Sequence, residues 1–522
     1  MNKNLKRLMS GAIGVVMLLS LLAGCGNKTG TDTAESTSAA SSSAAASDST
    51  GIDLSKKVNL VFWMLGDPPK DMQLINDEIN KMAEADLNCT VKFNMTTWTD
   101  TDAKYQRLLA SGEPIDLIFT AEWMKYQQYA KAGAFMPLDD IIPKASPELW
   151  QFVPQEYWDG VRINGKVMTI PATWKEYVTD GLTYRKDICK KYNIPEPTSL
   201  ETLEQYCDTI VKNEKGIEPF GDFCGDFASI RELLHPWLDR NMPVYGLAAM
   251  DKTPTQLYKY WGSEEHLADL KLKKEWADKG YWSKSVLSTF NKGSFAELFH
   301  AGKIGALMSN ANGYGDLLAR TKKDHPDWEL GYFPFANVTG VTHPVHPVHN
   351  GFAVPKSSQN PERAVAFYAK MVLDKKYNLL TQYGIEGKHY EVEDGYYKMI
   401  GNASTNGFTR EAMCSWAWRN PEYMLFDKTF DPVKIIFADL DKIATKDIFN
   451  GFAEDYSAYQ AEKTALETVK QQFLLPLEAG LIPDVEKGLE TFMEKAKAAG
   501  LDKIQSEYIK QWEQYCKEMN VQ

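Results

Sequence analysis

The sequence is poor in cysteine, with seven in 522 residues, and no two of them stand at C-x-x-C spacing. A zinc site or a disulfide framework needs tighter grouping than Cys89, Cys189, Cys207, Cys224, Cys414 and Cys516 provide. These six read as buried thiols, with one disulfide left open in an oxidising compartment. There is no G-x-S-x-G, no H-E-x-x-H and no P-loop. The stretch Asp222 to Asp226 lacks the spaced acidic ligands and closing Glu of a calcium loop. Acidic residues are spread so evenly that no catalytic pair of carboxylates can be assigned. Basic residues are not in excess either. The 58 Lys and Arg face 70 Asp and Glu, a net charge of −12, which disfavours a phosphate backbone as partner. After residue 23 no apolar run reaches the ~20 residues of a membrane span.

What is present begins with Lys3, Lys6 and Arg7, followed by an apolar run from Leu8 to Ala23. This is the pattern of a secretory signal rather than a transmembrane helix. It stops at Leu22-Ala23-Gly24-Cys25, which resembles a bacterial lipobox. That resemblance implies cleavage after residue 24 and a diacylglycerol on Cys25, and loss of the three leader cations takes the charge from −12 to −15. Residues 25–52 are nearly all Ser, Ala, Thr, Gly and Asp. They carry too little apolar surface to offset the entropy of ordering and read as a flexible tether. About 470 residues remain, enough for two or three packed domains.

The next segment alternates strand and helix. Val58 to Met64 is β-rich, Met72, Ile75, Ile79 and Met82 repeat at helical spacing, and Thr90 to Met95 alternates. A helix over 102–111, a short buried strand over 115–119 and a helix over 125–132 continue the rhythm of a parallel α/β sheet. Residues 166–171 and 181–184 read as two neighbouring extended segments. The stretch 187–302 reads as helix-rich, 303–308 and 351–355 as strands, and 360–373 as a helix with Pro361 in its first turn. From about 433 the chain reads as mainly helical. Val485, Leu489, Phe492, Met493 and Ala496 form one apolar stripe, expected to pack.

Five segments together carry a family resemblance: Gly112-Glu113-Pro114-Ile115-Asp116-Leu117, Gly133-Ala134-Phe135-Met136-Pro137-Leu138, Ile170-Pro171 with Gly181 to Asp187, Gly302 to Met308, and Ser357 to Ala364. In this order behind a lipobox, the chain resembles the extracellular solute-binding proteins of ABC transporters, family 1, whose members mostly bind sugars. The stretch Tyr383 to Tyr390 and the tail resemble a LipO-like branch with an added helical C-terminal segment. The sequence departs from the family pattern at Arg185, where Asn is usual, and at Met308-Ser309-Asn310.

The resemblance implies an α/β, two-lobed periplasmic-binding-protein-like fold (type II), in which each lobe is a sheet flanked by helices. The expected division is 53–178 plus 338–374 for lobe 1, 179–337 plus 375–440 for lobe 2, and 441–522 for the helical extension. Hinges are expected near 171–181, 337–351 and 373–383. It also implies capture of a small molecule, an oligosaccharide by preference, by hinge closure, and delivery to ABC permease subunits. The protein would be a monomer held on the outer face of the cell membrane by the lipid on Cys25, without cofactor, metal or catalysis. A peptide or other polar solute is the alternative ligand, and a surface glycoside hydrolase the alternative class.

Sugar recognition needs flat aromatic faces and polar groups that satisfy hydroxyls. Ligand loops lie at the carboxyl ends of the strands. That rule selects Trp63 and Asp67, Trp98, Glu122 with Trp123, and Asn350. Trp174, Glu176 and Tyr177 fall between the crossing segments, Glu386 lies in the Tyr383 motif, and Trp416, Trp418 and Arg419 form an aromatic-rich loop. Trp150, Trp158, Trp261, Trp276, Trp328 and Trp512 read as packing residues. His343, His346 and His349 recur every third residue, but steps of ~9 Å in extended chain suit a hinge strand better than one metal ion.

Overall fold

The computed structural model describes residues 51–518 apart from 98–99, 178–179, 223–227, 251–252, 254, 290–294 and 450–451. The leader, Cys25, Trp98 and Cys224 lie outside the described residues.

The first sheet forms where the sequence alternates. In Val58–Leu65 the side chains of Leu60, Phe62 and Met64 point into the core. This strand runs parallel to Cys89–Thr96, from Val58 beside Cys89 to Leu65 beside Thr96. On its other side it pairs in parallel with Leu117–Thr120 (Phe62 beside Leu117). Gly351–Ala353 returns from far along the chain and closes that edge antiparallel. The helix Met72–Leu87 buries Ile75, Ile79 and Ala83, one side chain per turn. It stops at Asn88, whose φ of 44° ends the helical run. The buried Arg363 guanidinium donates to the carbonyls of Leu87, Asn88 and Asp53, satisfying acceptors the helix end leaves open.

Two of the resembling motifs meet in space. Asp116, buried, accepts from Val61 N at 2.9 Å, from Ser358 Oγ at 2.8 Å and from Asn360 N at 3.3 Å. A single carboxylate thus ties the strand entry to the start of the helix Pro361–Leu373, so both motifs serve the scaffold. Arg185, where the pattern departs, grips Asp187 through two hydrogen bonds of 2.8 and 2.6 Å and lies 3.4 Å over the Trp328 ring. It too is structural.

The second sheet has the order 330–334, 180–185, 304–310, 218–220. Asp180–Arg185 is central, antiparallel to both Leu330–Pro334 and Ile304–Asn310. Its core gathers Leu182, Tyr184, Tyr206, Ile210, Trp276 and Tyr281. The expectation of helix throughout 187–302 is corrected. Leu238–Val244, Leu247–Met250 and Leu257–Lys259 form a three-stranded antiparallel sheet. Its hairpin turns on Tyr245-Gly246, both with positive φ (51° and 68°). That is the backbone of the commonest two-residue hairpin, written with Tyr where Asn or Asp usually signals it.

Two boundaries move. Tyr377, Phe408, Met413, Ala417 and Trp418 belong to the core of the first sheet, so these parts of 375–420 pack with lobe 1 rather than lobe 2, while Tyr383, Tyr390 and Tyr397 form a small cluster of their own with Leu425. The chain then crosses a third time over about 420–430. Phe426 and Phe430 pack with Tyr314, Leu317 and Leu330 of the second lobe. The helix Lys375–Tyr383, expected near a hinge, is buried at Tyr377, Asn378, Thr381 and Gln382. The C-terminal helices Val485–Ala498 and Leu501–Glu518 do not stand apart either. They share cores with Leu238 and Ala248 of the inserted sheet, with Tyr260 and Trp261 just after it, and with Leu270 of the helix Glu264–Lys279. The expected stripe Val485, Leu489, Phe492 and Ala496 is what they bury. Among the described residues no helix is long and apolar enough to cross a membrane.

Candidate functional site

A cavity of about 340 Å³ opens where the crossing segments run between the lobes. Three walls build it. The lobe 1 wall is Trp123, carried on the short turn Glu122–Met124 that follows the fully buried strand Leu117–Thr120. Lys125, at φ 64°, ends the turn. Trp123 Nε1 donates to His349 O at 2.8 Å and the ring packs 6.0 Å from Phe119. The indole is fixed at one edge and still 45% exposed, an open aromatic platform.

The lobe 2 wall is the start of the helix Ala311–Asp324. Its N-cap Asn310 accepts from Gly313 N at 2.9 Å and exposes Asn312 and Asp316 to the cavity. The third wall, Met424, Leu425, Phe426 and Phe430, comes from the third crossing.

The floor is an ion network. Arg419 donates through Nε and Nη2 to both oxygens of Glu411, the latter at 3.0 Å, and through Nη1 to Glu176 Oε2 at 3.0 Å. Asn312 Nδ2 donates to the other Glu176 oxygen. The three charged side chains are 10–14% exposed. Burial alone would discourage the Arg419 charge, but the two carboxylates outweigh it and hold the guanidinium above its ordinary range. Burial alone would raise the Glu411 carboxyl, yet Arg419 keeps it below the usual carboxylate range. The guanidinium lies 5.0 Å from the Trp174 ring centre, which fixes the indole, and Phe437 meets the ring edge-on at 5.9 Å.

On the rim, Arg410 Nη2 reaches Asp316 Oδ1 at 3.2 Å across the lobes. Asp316 keeps 66% of its side chain accessible. His349 Nδ1 pairs with Glu122 Oε1 at 2.6 Å; burial works against its charge, but this bond raises its pKa. Asn350, 5% exposed, lines the cavity.

Of the residues expected at the site, Trp123, Trp174, Glu176, Asn350, Trp416 and Arg419 line the cavity. Glu122 stands one step behind, holding His349. The other described ones lie elsewhere, and Trp98 falls outside the described residues. Trp63 lies against the core with Lys104 Nζ 4.6 Å over its ring, and Asp67 is exposed outside the cavity. Tyr177 is 2% exposed and donates to Asp441. Trp418 is fully buried, its Nε1 donating to Thr381 Oγ1 at 2.8 Å. Glu386 is an exposed turn residue; its motif serves structure, with His389 fully buried and bonded to Asp71 at 3.0 Å. The three periodic histidines take separate partners: Thr445 for His343, Val348 N for His346 and Glu122 for His349.

Sequence reasoning missed Asp316, Arg410 and Glu411, and the third-crossing residues. The nearest signal for Glu411 is the density of Arg and Trp that follows it, since each buried cation needs a carboxylate.

A family model described as bacterial extracellular solute-binding protein matches residues 67–377, and one described as a domain of unknown function matches residues 448–517. A Streptococcus pneumoniae serotype 4 protein described as a carbohydrate ABC transporter substrate-binding protein is 22% identical over 525 residues, covering 99% of each chain. Among solved structures, an N-glycan transport solute binding protein from Streptococcus pneumoniae superposes with a TM-score of 0.69 at 18% identity, over 88% of this chain and 99% of that one. An alginate-binding protein follows at 0.62 and 16%, over 88% and 98%. These likenesses are of fold: two α/β lobes of the type II periplasmic-binding class. The match to residues 67–377 spans more than half of the sequence, and the chain belongs to the bacterial extracellular solute-binding protein family.

Proposed function

We propose that this chain is a lipid-anchored receptor that captures an oligosaccharide between its lobes and passes it to the permease of an ABC importer. The observation that carries the reading is the cavity's pairing of an open aromatic face, Trp123, with polar side chains beside it, Glu176, Asn312 and Asn350 among them. A pyranose offers both halves of that match: apolar CH faces to stack, and hydroxyls that must be paired when buried. The descriptions of the full-length pneumococcal relative and of the N-glycan and alginate structures support it. Lobes 53–178 with 338–420 and 179–337 with 421–522 would close over the ligand by hinge motion at the three crossings. All three cavity carboxylates are ion-paired, an arrangement that supports binding over general acid catalysis. Cys25 would carry the lipid and residues 26–52 the reach from the membrane.

The test is thermal shift followed by calorimetry on the compact unit from Thr50 onward, against oligosaccharides, peptides and amino acids. A bound native-state ligand raises the melting point by mass action. One glycan class should shift it and be recovered intact. Trp123→Ala should weaken that binding about thirtyfold, from about 2 kcal/mol of lost apolar burial. A shift with peptides alone, or recovery of cleaved glycan, would overturn the reading.

A further inference from the structure

We infer that the cleft selects an uncharged glycan and rejects one bearing carboxylates, because every described cation at the cavity is already matched by a carboxylate of the protein. This rests on the carbohydrate reading above.

A ligand carboxylate gives up its hydration when buried. Sites that accept one offer a guanidinium fork or an uncompensated charge in return. Here the Arg419 fork is closed: Nε and Nη2 hold Glu411, and Nη1 holds Glu176. Arg410 points one amine at Asp316, and its guanidinium lies 5.6 Å from the Phe430 ring centre. His349 is taken by Glu122 at 2.6 Å. The lining therefore sets Glu176, Asp316 and Glu411 against two arginines, with His349 and Glu122 cancelling when both are charged. The surplus is negative, and its most accessible member is Asp316. Neutral hydroxyls meet no such obstacle. Carboxylate oxygens and the amides of Asn312 and Asn350 can accept from and donate to them.

The weak point of the filter is the Arg410–Asp316 pair. It is a single contact at 3.2 Å, and only Arg410 is half-sheltered, at 23% exposure. Removing the Asp316 charge would leave a guanidinium facing the ligand without changing the cavity's shape.

The experiment uses the mature chain and a neutral oligosaccharide that binds it, compared by calorimetry with the same glycan oxidised at C6 to a uronate. At neutral pH the uronate should bind about a hundredfold more weakly, as like-charge juxtaposition predicts, and added salt should narrow the gap. Asp316→Asn should raise the uronate-to-neutral affinity ratio about tenfold. Arg410→Gln should lower it. Asp316 is exposed, so an unchanged melting point will certify the first variant. Equal or tighter uronate binding by the native chain would overturn the inference and leave the carbohydrate reading standing. So would Asp316→Asn that leaves the ratio unmoved. Binding of peptides but of no glycan would overturn both.

Discussion

At the scale of single residues, the site is organised around one buried cation. Arg419 compensates Glu411 and Glu176 at once, and none of the three is more than 14% exposed. Removing one partner of such a network leaves uncompensated buried charge, a cost of about 3–5 kcal/mol. Arg419→Ala is therefore expected to lower the urea midpoint strongly. Arg419→Met combined with Glu176→Gln and Glu411→Gln should recover much of the loss, because the charges then leave together. If the single variant is as stable as the native chain, the network is not what holds the floor. Sequence reading found Arg419 and Glu176 but not Glu411. An aromatic-rich stretch advertises itself by composition, whereas a carboxylate among 70 acidic residues does not. The same reading selected Trp416 and Trp418 together; Trp418 is fully buried and Trp416 lines the cavity. Two positions apart on a short tight turn is enough to reverse direction, and no local pattern records which way each ring faces.

At the scale of elements, what was legible is what repeats. The parallel strands and the helix at Met72–Leu87 follow hydrophobic periods. The inserted antiparallel sheet was not legible, because its turn is Tyr-Gly and its first strand, LDRNMPV, does not alternate. That insertion supports the helix Glu264–Lys279, which buries His266 at 1% exposure. His266 Nδ1 accepts from Gly262 N at 3.1 Å, and its Nε2 is buried with no partner among described residues. Burial foremost, with Arg231 and Lys273 adding to it against Asp269, drives its pKa from 6.5 down to about 3. The unfolded chain takes up a proton near 6.5 that the native chain refuses. Stability should thus fall as pH drops through 6.5, and continue falling toward about 3. His349 acts oppositely, since its raised pKa adds stability below its ordinary value that is lost as pH rises through the shifted one. His346, lowered to about 4 by burial, sides with His266. Urea midpoints at pH 7, 6 and 5 should decrease in the native chain and decrease less in His266→Asn. Profiles of equal slope in the native chain and in His266→Asn would mean that His266 takes up its proton in the fold as readily as in the unfolded chain.

At the scale of the whole molecule, the C-terminal segment does more than cover lobe 2. Besides the contacts of Asp441 and Thr445 near the crossings, its loop reaches the other lobe on the far side: Tyr456 Oη donates to Gln128 Oε1 at 2.7 Å, and Lys131 Nζ donates to Ala453 O at 3.1 Å. Gln128 and Lys131 lie on the helix Tyr126–Lys131, directly after the turn that carries Trp123. The reaching loop is firmly mounted. Gln511 exchanges two hydrogen bonds with the backbone of Asp455, and Lys463 lies 4.0 Å over the Tyr456 ring. Behind it Trp512 is fully buried. Nothing in the sequence announces the loop's contacts to Gln128 and Lys131, because residues more than 300 positions apart share no local pattern. In a receptor that opens and closes, contacts made only in the closed form shift the equilibrium, and the apparent affinity scales with the fraction closed. Each hydrogen bond of this kind contributes about 0.5–1.5 kcal/mol. Tyr456→Phe with Lys131→Ala should therefore weaken glycan binding by about fivefold or more, with a ceiling of about 150-fold for two such bonds, while leaving the melting point of the unliganded protein nearly fixed, since both side chains lie at the surface between lobes. Small-angle scattering of the unliganded variant should give a larger radius of gyration than the native chain. Ligand should return both to the same value. Identical radii and identical affinities would mean that the loop at 453–456 only rests against lobe 1, and closure would then depend on the three crossings and the contacts beside them, Asn312–Glu176, Tyr177–Asp441 and Arg410–Asp316 among them.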